Sequence, residues 1–328
     1  MYNSSMNKNV LVTGGAGYIG SHTCKELARK GFTPIVIDNL SSGHKEFVKW
    51  GPLFVGDITN KKQLEKVFLN FDIKFVIHLA AKASVNESMF NPIKYFEENI
   101  YGTTNLLELF LANNGKALIF SSSCAVYGEK NMGPITEDSP LEPINPYGFS
   151  KLASEKLIKY LKLSHEFNFS ILRYFNAAGA DPDQELGEKH LNETHVIPLL
   201  INSVIKNTSF TINGNDFKTP DGSAIRDYVH VSDLAKAHVL ALEYNQNNMR
   251  DLICNLGTGH GVSVLDLVSE LSKITSNVNF IYGNRRPGDP AILVADSKLA
   301  RSVLNWEPVN SNLPTILETA LNWHKRTN

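Results

Sequence analysis

The 328-residue sequence has few cysteines, no charge excess of either sign and no long apolar run. Cys24, Cys124 and Cys254 stand far apart without CxxC spacing, which argues against a zinc or disulfide framework and fits idle thiols in a reducing compartment. Lysine and arginine total 32 against 33 aspartate and glutamate, so no positive surplus is available to neutralise a nucleic-acid backbone or an anionic membrane surface. Any anion this chain binds needs a local pocket. No segment approaches the ~20 apolar residues of a membrane span, and the polar start, Met1 to Asn9, lacks the apolar core of a signal peptide. The expectation is a cytoplasmic chain with neither nucleic acid nor membrane as partner.

What the chain does have is enough apolar residues, 42%, to bury a sizeable core, arranged in a regular rhythm. Short apolar runs at Val10 to Val12, Pro34 to Ile37, Leu53 to Val55, Phe75 to Leu79, Ala117 to Ser121 and Ser170 to Leu172 alternate with helical patterns. The helices are expected near Gly17 to Arg29, Lys61 to Asn70, within Pro92 to Asn113, and at Pro146 to Leu163. That alternation predicts βαβ units, hence an α/β fold with a doubly wound parallel sheet of six or seven strands. Beyond Gly179 the rhythm breaks into polar and Gly/Pro-rich stretches with helical patterns near Ile197 to Lys206 and Val231 to Leu242. Residues 1–178 are thus expected to form a dinucleotide-binding domain. Residues 179–328 are expected to form a smaller α/β substrate domain, with some segments returning to the first.

Gly14, Gly17 and Gly20 form a GxxGxxG that follows the first strand and opens a helix, with Tyr18 and Ile19 between the last two. Missing side chains there permit a tight turn, approach of a pyrophosphate to backbone N–H groups, and close packing of the helix. Asp38 follows eighteen residues after Gly20, at the end of the second strand, where a carboxylate accepts from an adenosine ribose. It would repel the extra phosphate of NADP, and no arginine directly follows, so NAD is the expected cofactor. Asp57 and Ile58, after the third strand, are placed for the adenine edge, although a plain turn aspartate reads equally well.

Tyr147 and Lys151 form a YxxxK preceded by Asn145-Pro146, a cap and a first-turn proline. Residues four apart share a helix face, so the ammonium is expected beneath the phenol, and this cation, the positive helix end and an oxidised nicotinamide all favour the phenolate, moving a group near ~10 toward working pH. Ser121-Ser122-Ser123 ends a strand facing the same crevice, and the Ser123 hydroxyl completes a Ser, Tyr, Lys set.

Several motifs carry a more specific resemblance: Thr13 to His22, Asp38-Asn39-Leu40, Ser121 to Gly128, Pro146 to Lys151, Leu172 to Asn176, Ile225 to Val231 and Arg285-Arg286-Pro287-Gly288-Asp289. Over nearly its whole length the chain resembles the UDP-glucose 4-epimerases of the extended short-chain dehydrogenase/reductase class. The resemblance implies Tyr147 as base, Lys151 lowering its pKa and holding the nicotinamide ribose, and Ser123 orienting the sugar. It implies cofactor contacts from Asn39, Ala80, Asn99 and Phe175, the last two beside the nicotinamide. Arg226 and Arg286 would hold a UDP-hexose diphosphate, Asp289 the uridine ribose, and Asn176 the sugar or phosphate. His195, Val196, Asn213 and Leu293 would complete that wall.

The implied reaction removes the 4-hydroxyl proton while hydride leaves carbon 4, then returns hydride to the other face of the ketone. The chain departs from the family pattern at Lys82, one place earlier than in some relatives, at Asn213 in place of an aromatic, and at His195 in place of asparagine. Leu293 stands where relatives restricted to glucose and galactose often carry tyrosine, so N-acetylated sugars are expected to be accepted. A dehydratase or decarboxylase of this fold would need acid and base after the hydroxyl residue, and Cys124 and Ala125 supply none. A non-catalytic NAD-sensing module would have no use for Ser123, Tyr147 and Lys151 together. The family pairs subunits through two helices, here Pro92 to Asn113 and Pro146 to Leu163, so a homodimer is expected.

Overall fold

Strands of a parallel sheet covered on both faces are apolar along their whole length, and Val10, Leu11 and Val12 are fully buried. The computed structural model describes residues 8–129, 133–275, 278–286 and 288–327, so most of the polar start lies outside the described residues. The elements are β1 (Asn9–Thr13), α1 (Tyr18–Arg29), β2 (Thr33–Asp38), β3 (Leu53–Val55), α2 (Lys61–Asn70), β4 (Phe75–His78), α3 (Val85–Phe90), α4 (Pro92–Tyr95), α5 (Gly102–Ala112), β5 (Ala117–Ser123), α6 (Pro146–Lys162) and β6 (Asn168–Tyr174). They continue with β7 (Asn176–Ala178), α7 (Val196–Ile205), β8 (Phe210–Asn213), β9 (Ile225–Arg226), β10 (Tyr228–His230), α8 (Val231–Asn248), β11 (Leu252–Leu256), β12 (Val262–Ser263), α9 (Val264–Ile274), β13 (Phe280–Gly283), β14 (Ile292–Leu293), α10 (Lys298–Leu304) and α11 (Leu313–Thr327).

Seven strands form one sheet in the order β11-β6-β5-β4-β1-β2-β3, every pair parallel. The order reverses between β1 and β4, where Thr13 pairs with both Ile37 and His78, and that reversal opens a crevice at the carboxyl ends of the strands. One face of the sheet buries Leu64, Val67, Leu106 and Phe110 of α2 and α5. The other buries Leu27 of α1 with Leu234, Val239 and Leu242 of α8 and Trp306.

The seventh strand comes from beyond Gly179. The helix read near Val231 to Leu242 is α8, which packs on α1, β5 and β6, and β11 after it pairs with β6. Periodicity identifies a helix but not the sheet it covers, so the sequence boundary at residue 178 does not coincide with the edge of the large sheet. The smaller unit is held by α7, α9 and α11, which bury Ile197, Leu200, Leu267, Leu271, Ile316 and Leu317 together. The helical pattern within Pro92 to Asn113 is also interrupted: α4 and α5 are joined by a π-helical segment, Phe96–Tyr101, whose wider turn carries Asn99 into the interior.

Candidate active site

A cleft of about 530 Å³ runs from the carboxyl ends of β1, β2 and β4 to the smaller unit. At its first end the glycine turn is sterically committed. Gly14 has φ +71°, and a Cβ there would lie 2.7 Å from Ala80 N; a Cβ on Gly20 would lie 2.0 Å from Gly14 O. Gly17 caps α1 without a side-chain bond, so the first N–H groups of the helix, at Tyr18 and Ile19 on the cleft wall, form a cradle for an anion. Asp38 is 8% exposed and accepts from Ala16 N at 3.0 Å and Leu40 N at 2.8 Å. Burial raises its pKa, opposed by those two N–H groups, and its carboxylate keeps acceptor capacity toward the cleft. Asn39 donates to Asp57 at 2.7 Å; although burial works against it, this bond and those from Thr59 hold Asp57 below the usual carboxylate range. Ile58 and Ala80 line the same end, and Lys82 Nζ donates to Ser41 Oγ at 3.0 Å.

Asn99 lies behind the wall rather than on it. Its Nδ2 donates to Lys82 O at 3.0 Å and Ser150 Oγ at 2.9 Å, and its Oδ1 accepts from Lys82 N at 2.8 Å. It therefore ties the Lys82 loop to α6. Phe175 is buried on the cleft wall.

The middle of the cleft joins the end of β5 to the start of α6. Asn145 accepts from Gly148 N at 2.8 Å and Pro146 fills the first turn, so Tyr147 opens the helix and Lys151 lies one turn on, both buried. Ser123 Oγ accepts from Ala125 N at 3.2 Å and is near enough to the Tyr147 phenol to oppose the rise of its pKa. Burial pushes Tyr147 up to about 12, with Ser123 opposing, and Lys151 donates to Ser121 O at 2.8 Å. Burial also pulls Lys151 down to about 7, with Glu155 opposing. Cys124, next along, is pushed up to about 12 by burial and Ala125 has no polar side chain, so the position after Ser123 carries no acid or base for working pH.

Beneath these residues lies an ion pair that sequence reasoning missed. Glu155, fully buried one turn beyond Lys151, takes Arg173 Nη2 at 2.6 Å, Arg173 Nε at 3.0 Å and Ser122 Oγ at 2.5 Å. Arg173 Nη1 also donates to the Tyr127 hydroxyl at 3.0 Å. Only the i,i+4 step from Lys151 to Glu155 was visible in the chain; the partner sits on β6.

At the far end the residues expected to grip different parts of one ligand meet each other. Arg226 Nη2 makes a short bond to Asp289, and its Nη1 donates to Ile225 O at 2.8 Å. Asn213, with its amide oxygen turned to Arg286, accepts from Nε and Nη2 at 3.2 Å each, so it orients a guanidinium rather than replacing a stacking ring. Arg286 is exposed and Nη1 lies 3.5 Å from Thr194 O. Pro287, inside the same motif, lies outside the described residues. Asn176, His195, Val196 and Leu293 line the cleft; Leu293 is 9% exposed and packs with Cys124, Tyr127 and Phe175.

Glu188, His190 and Glu193 were also missed. With His195 they bring donor atoms within 4.8 Å of one another, a composition that suits a divalent cation. Here each imidazole is already paired with a carboxylate, and the cluster satisfies itself with protons.

Comparison with known proteins agrees with this geometry. Residues 10–257 match the model of the NAD dependent epimerase/dehydratase family. A UDP-glucose 4-epimerase of Rhizobium meliloti is 45% identical over 324 residues, 98% of each chain. The crystal structure of UDP-glucose 4-epimerase from Brucella ovis in complex with NAD superposes with a TM-score of 0.92 at 44% identity, covering 96% of this chain and 98% of that one. That of the Bifidobacterium longum UDP-glucose 4-epimerase with NAD+ and UDP gives 0.92 at 35% identity, covering 97% and 98%. A glycine cradle, a Ser-Tyr-Lys set and paired arginines along one cleft, with these relatives spanning nearly the whole chain, have one reading: the chain belongs to the NAD-dependent epimerase/dehydratase family, alongside its UDP-glucose 4-epimerases.

Proposed function

We propose that this chain interconverts UDP-glucose and UDP-galactose by inverting carbon 4 through a 4-keto sugar, with NAD held throughout. The observation that carries this reading is the position of Ser123 and Tyr147 midway along a cleft, with Lys151 buried one helical turn from Tyr147, a dinucleotide cradle at one end and Arg226 and Arg286 at the other. The cradle fits NAD, since the tight turn that aims its N–H groups at the cleft has no space for a Cβ at Gly14 or Gly20, and Asp38 offers acceptors where a ribose would lie. When bound, NAD supplies the hydride acceptor at carbon 4 and a positive ring that favours the Tyr147 phenolate.

The chain's own residues do the rest. Tyr147 takes the proton of the sugar 4-hydroxyl and later returns it, Ser123 holds that oxygen by hydrogen bonding, and Lys151 adds positive charge one helical turn away. Arg226 and Arg286 hold the diphosphate with Asp289 and Asn213 orienting them. Holding the diphosphate while the sugar turns lets a ketone present either face. With Cys124 and Ala125 after Ser123, nothing is placed to expel water, which disfavours a dehydratase or decarboxylase.

Leu293, on the cleft wall and packed with Phe175, lacks the ring and hydroxyl by which a tyrosine there would exclude an N-acetyl group, so UDP-N-acetylglucosamine and UDP-N-acetylgalactosamine are further substrates. The active form is a cytoplasmic homodimer. Phe90 and Ile93 are 75% and 70% exposed on α3 and α4, both of which pack on α6, and the rings of Phe96 and Phe149, from the π-helical segment and α6, meet at 5.7 Å; a second copy would cover these exposed apolar groups. Incubation of the purified protein with UDP-galactose tests the reading: UDP-glucose is expected, while a keto-deoxy sugar or unchanged substrate would overturn it.

A further inference from the structure

The loop between β7 and α7 folds around two carboxylates that no part of the proposed reaction uses. Trp323 of α11 donates to Glu188 O at 2.9 Å, and a Cβ at Gly187 would lie 2.3 Å from the Trp323 ring, so the turn carrying Glu188 is seated on α11. The Glu188 side chain is buried; its Oε1 takes a short hydrogen bond from His195 Nδ1 and lies 3.3 Å from His190 Nδ1. Glu193 Oε1 accepts from Thr194 N at 2.7 Å and His195 N at 2.8 Å, and its Oε2 lies 3.4 Å from His190 Nδ1. One carboxylate thus fixes the backbone of His195, the cap residue of α7, and the other fixes its ring. With Nδ1 committed, Nε2 is the donor left to the ring, on a side chain 53% exposed at the cleft wall. Next to it, the Thr194 carbonyl meets Arg286.

We propose that Glu188 is a positioning residue for the substrate, holding His195 as a cation on the cleft wall where its Nε2–H joins Arg226 and Arg286 in gripping the nucleotide diphosphate. This rests on the UDP-sugar reading. A charge-assisted donor backed by a buried carboxylate is fixed in tautomer and direction, which a lone surface imidazole is not. Attraction to Glu188 raises the pKa of His195 against the cost of burial, and in spite of its own burial the two imidazoles hold Glu188 at about 2. Other titratable groups facing the pair are His190 and Glu193 on the same loop, Tyr18 of α1, His324 of α11 and Arg286. Burial keeps Tyr18 and His324 neutral, so Glu188 and Glu193 are the anions that hold the imidazolium. Because the His195 charge is stabilised by Glu188, it persists as pH rises past the ordinary imidazole range; without that carboxylate it is lost there.

The test compares wild type and Glu188→Gln in steady-state kinetics with UDP-galactose between about pH 6 and about pH 8.5, with His195→Gln as a non-titrating reference. The loss is expected on KM rather than kcat. In Glu188→Gln, KM should approach wild type near about pH 6, where an ordinary imidazole is protonated, and exceed it by about tenfold near about pH 8, the worth of one charge-assisted contact. His195→Gln should show a raised KM at every pH. A KM in Glu188→Gln that is unchanged, or raised equally across the range, overturns the proposal, the second result marking a merely structural role. UDP binding followed by calorimetry over the same range separates the two readings. If wild type binds UDP but does not epimerise, the epimerase reading fails, and the pH dependence of UDP affinity in Glu188→Gln still decides this one.

Discussion

Tyr147 and Leu293 show how differently single residues on one wall act. Tyr147 is expected to carry the proton at the sugar oxygen, and its ring is packed edge-on against Tyr95 at 6.4 Å. Tyr147→Phe keeps that packing and removes only the hydroxyl, so turnover should fall at least ~10²-fold with NAD still bound, as seen when a general base is lost. Single-turnover assays and cofactor content of the purified variant check both halves; near-normal turnover would remove Tyr147 from the mechanism. Leu293 touches no reacting atom. Leu293→Tyr should selectively suppress turnover of the N-acetylated pair and spare the plain hexoses, because an added ring takes the space an acetyl group needs. Kinetics on both substrate pairs read this directly, and equal effects on the two would sink the account of the wall.

At the scale of elements, α6 does two jobs from successive turns of one helix face. Its start presents Tyr147 and Lys151, while Glu155 one turn later latches the helix to β5 through Ser122 and to β6 through Arg173. An ion pair buried this deeply contributes little net stability as a pair, but removing one partner strands the other charge. Arg173→Met should therefore destabilise the chain by about 3–5 kcal/mol, and Arg173→Met with Glu155→Leu should recover most of that loss. Urea unfolding of the two variants discriminates; equal destabilisation in both would show that lost packing, not the stranded carboxylate, is responsible. The paired cap and proline made the start of α6 legible in the sequence, whereas the latch was not, because a helix face has a period in the chain and its counterion across a sheet does not.

For the whole molecule, the exposed surface built by α3, α4 and α6 is the feature most directly testable. Phe149→Glu places a charge in the proposed subunit contact and should shift the protein from dimer to monomer in sedimentation equilibrium, with the monomer favoured at low concentration. A wild type that is monomeric at every concentration would overturn the dimer. The sequence by itself determined the βαβ rhythm, the glycine turn, Asp38 at the end of β2, and the Asn145-Pro146 start that sets Tyr147 and Lys151 one turn apart. All of these are local: a turn needing φ above zero, a strand end, a cap, a helical step. Only the tertiary structure decided that α8 and β11 return to complete the large sheet, that Asn99 ties a loop to α6 behind the wall, and that Lys151 donates to Ser121 O while burial raises Tyr147. It also decided that Arg226 pairs with Asp289, Arg286 with Asn213, and His195 with Glu188. The reason is physical: residue types and spacing specify which groups a segment offers, but desolvation and pairing depend on neighbours that the chain brings together only when it closes.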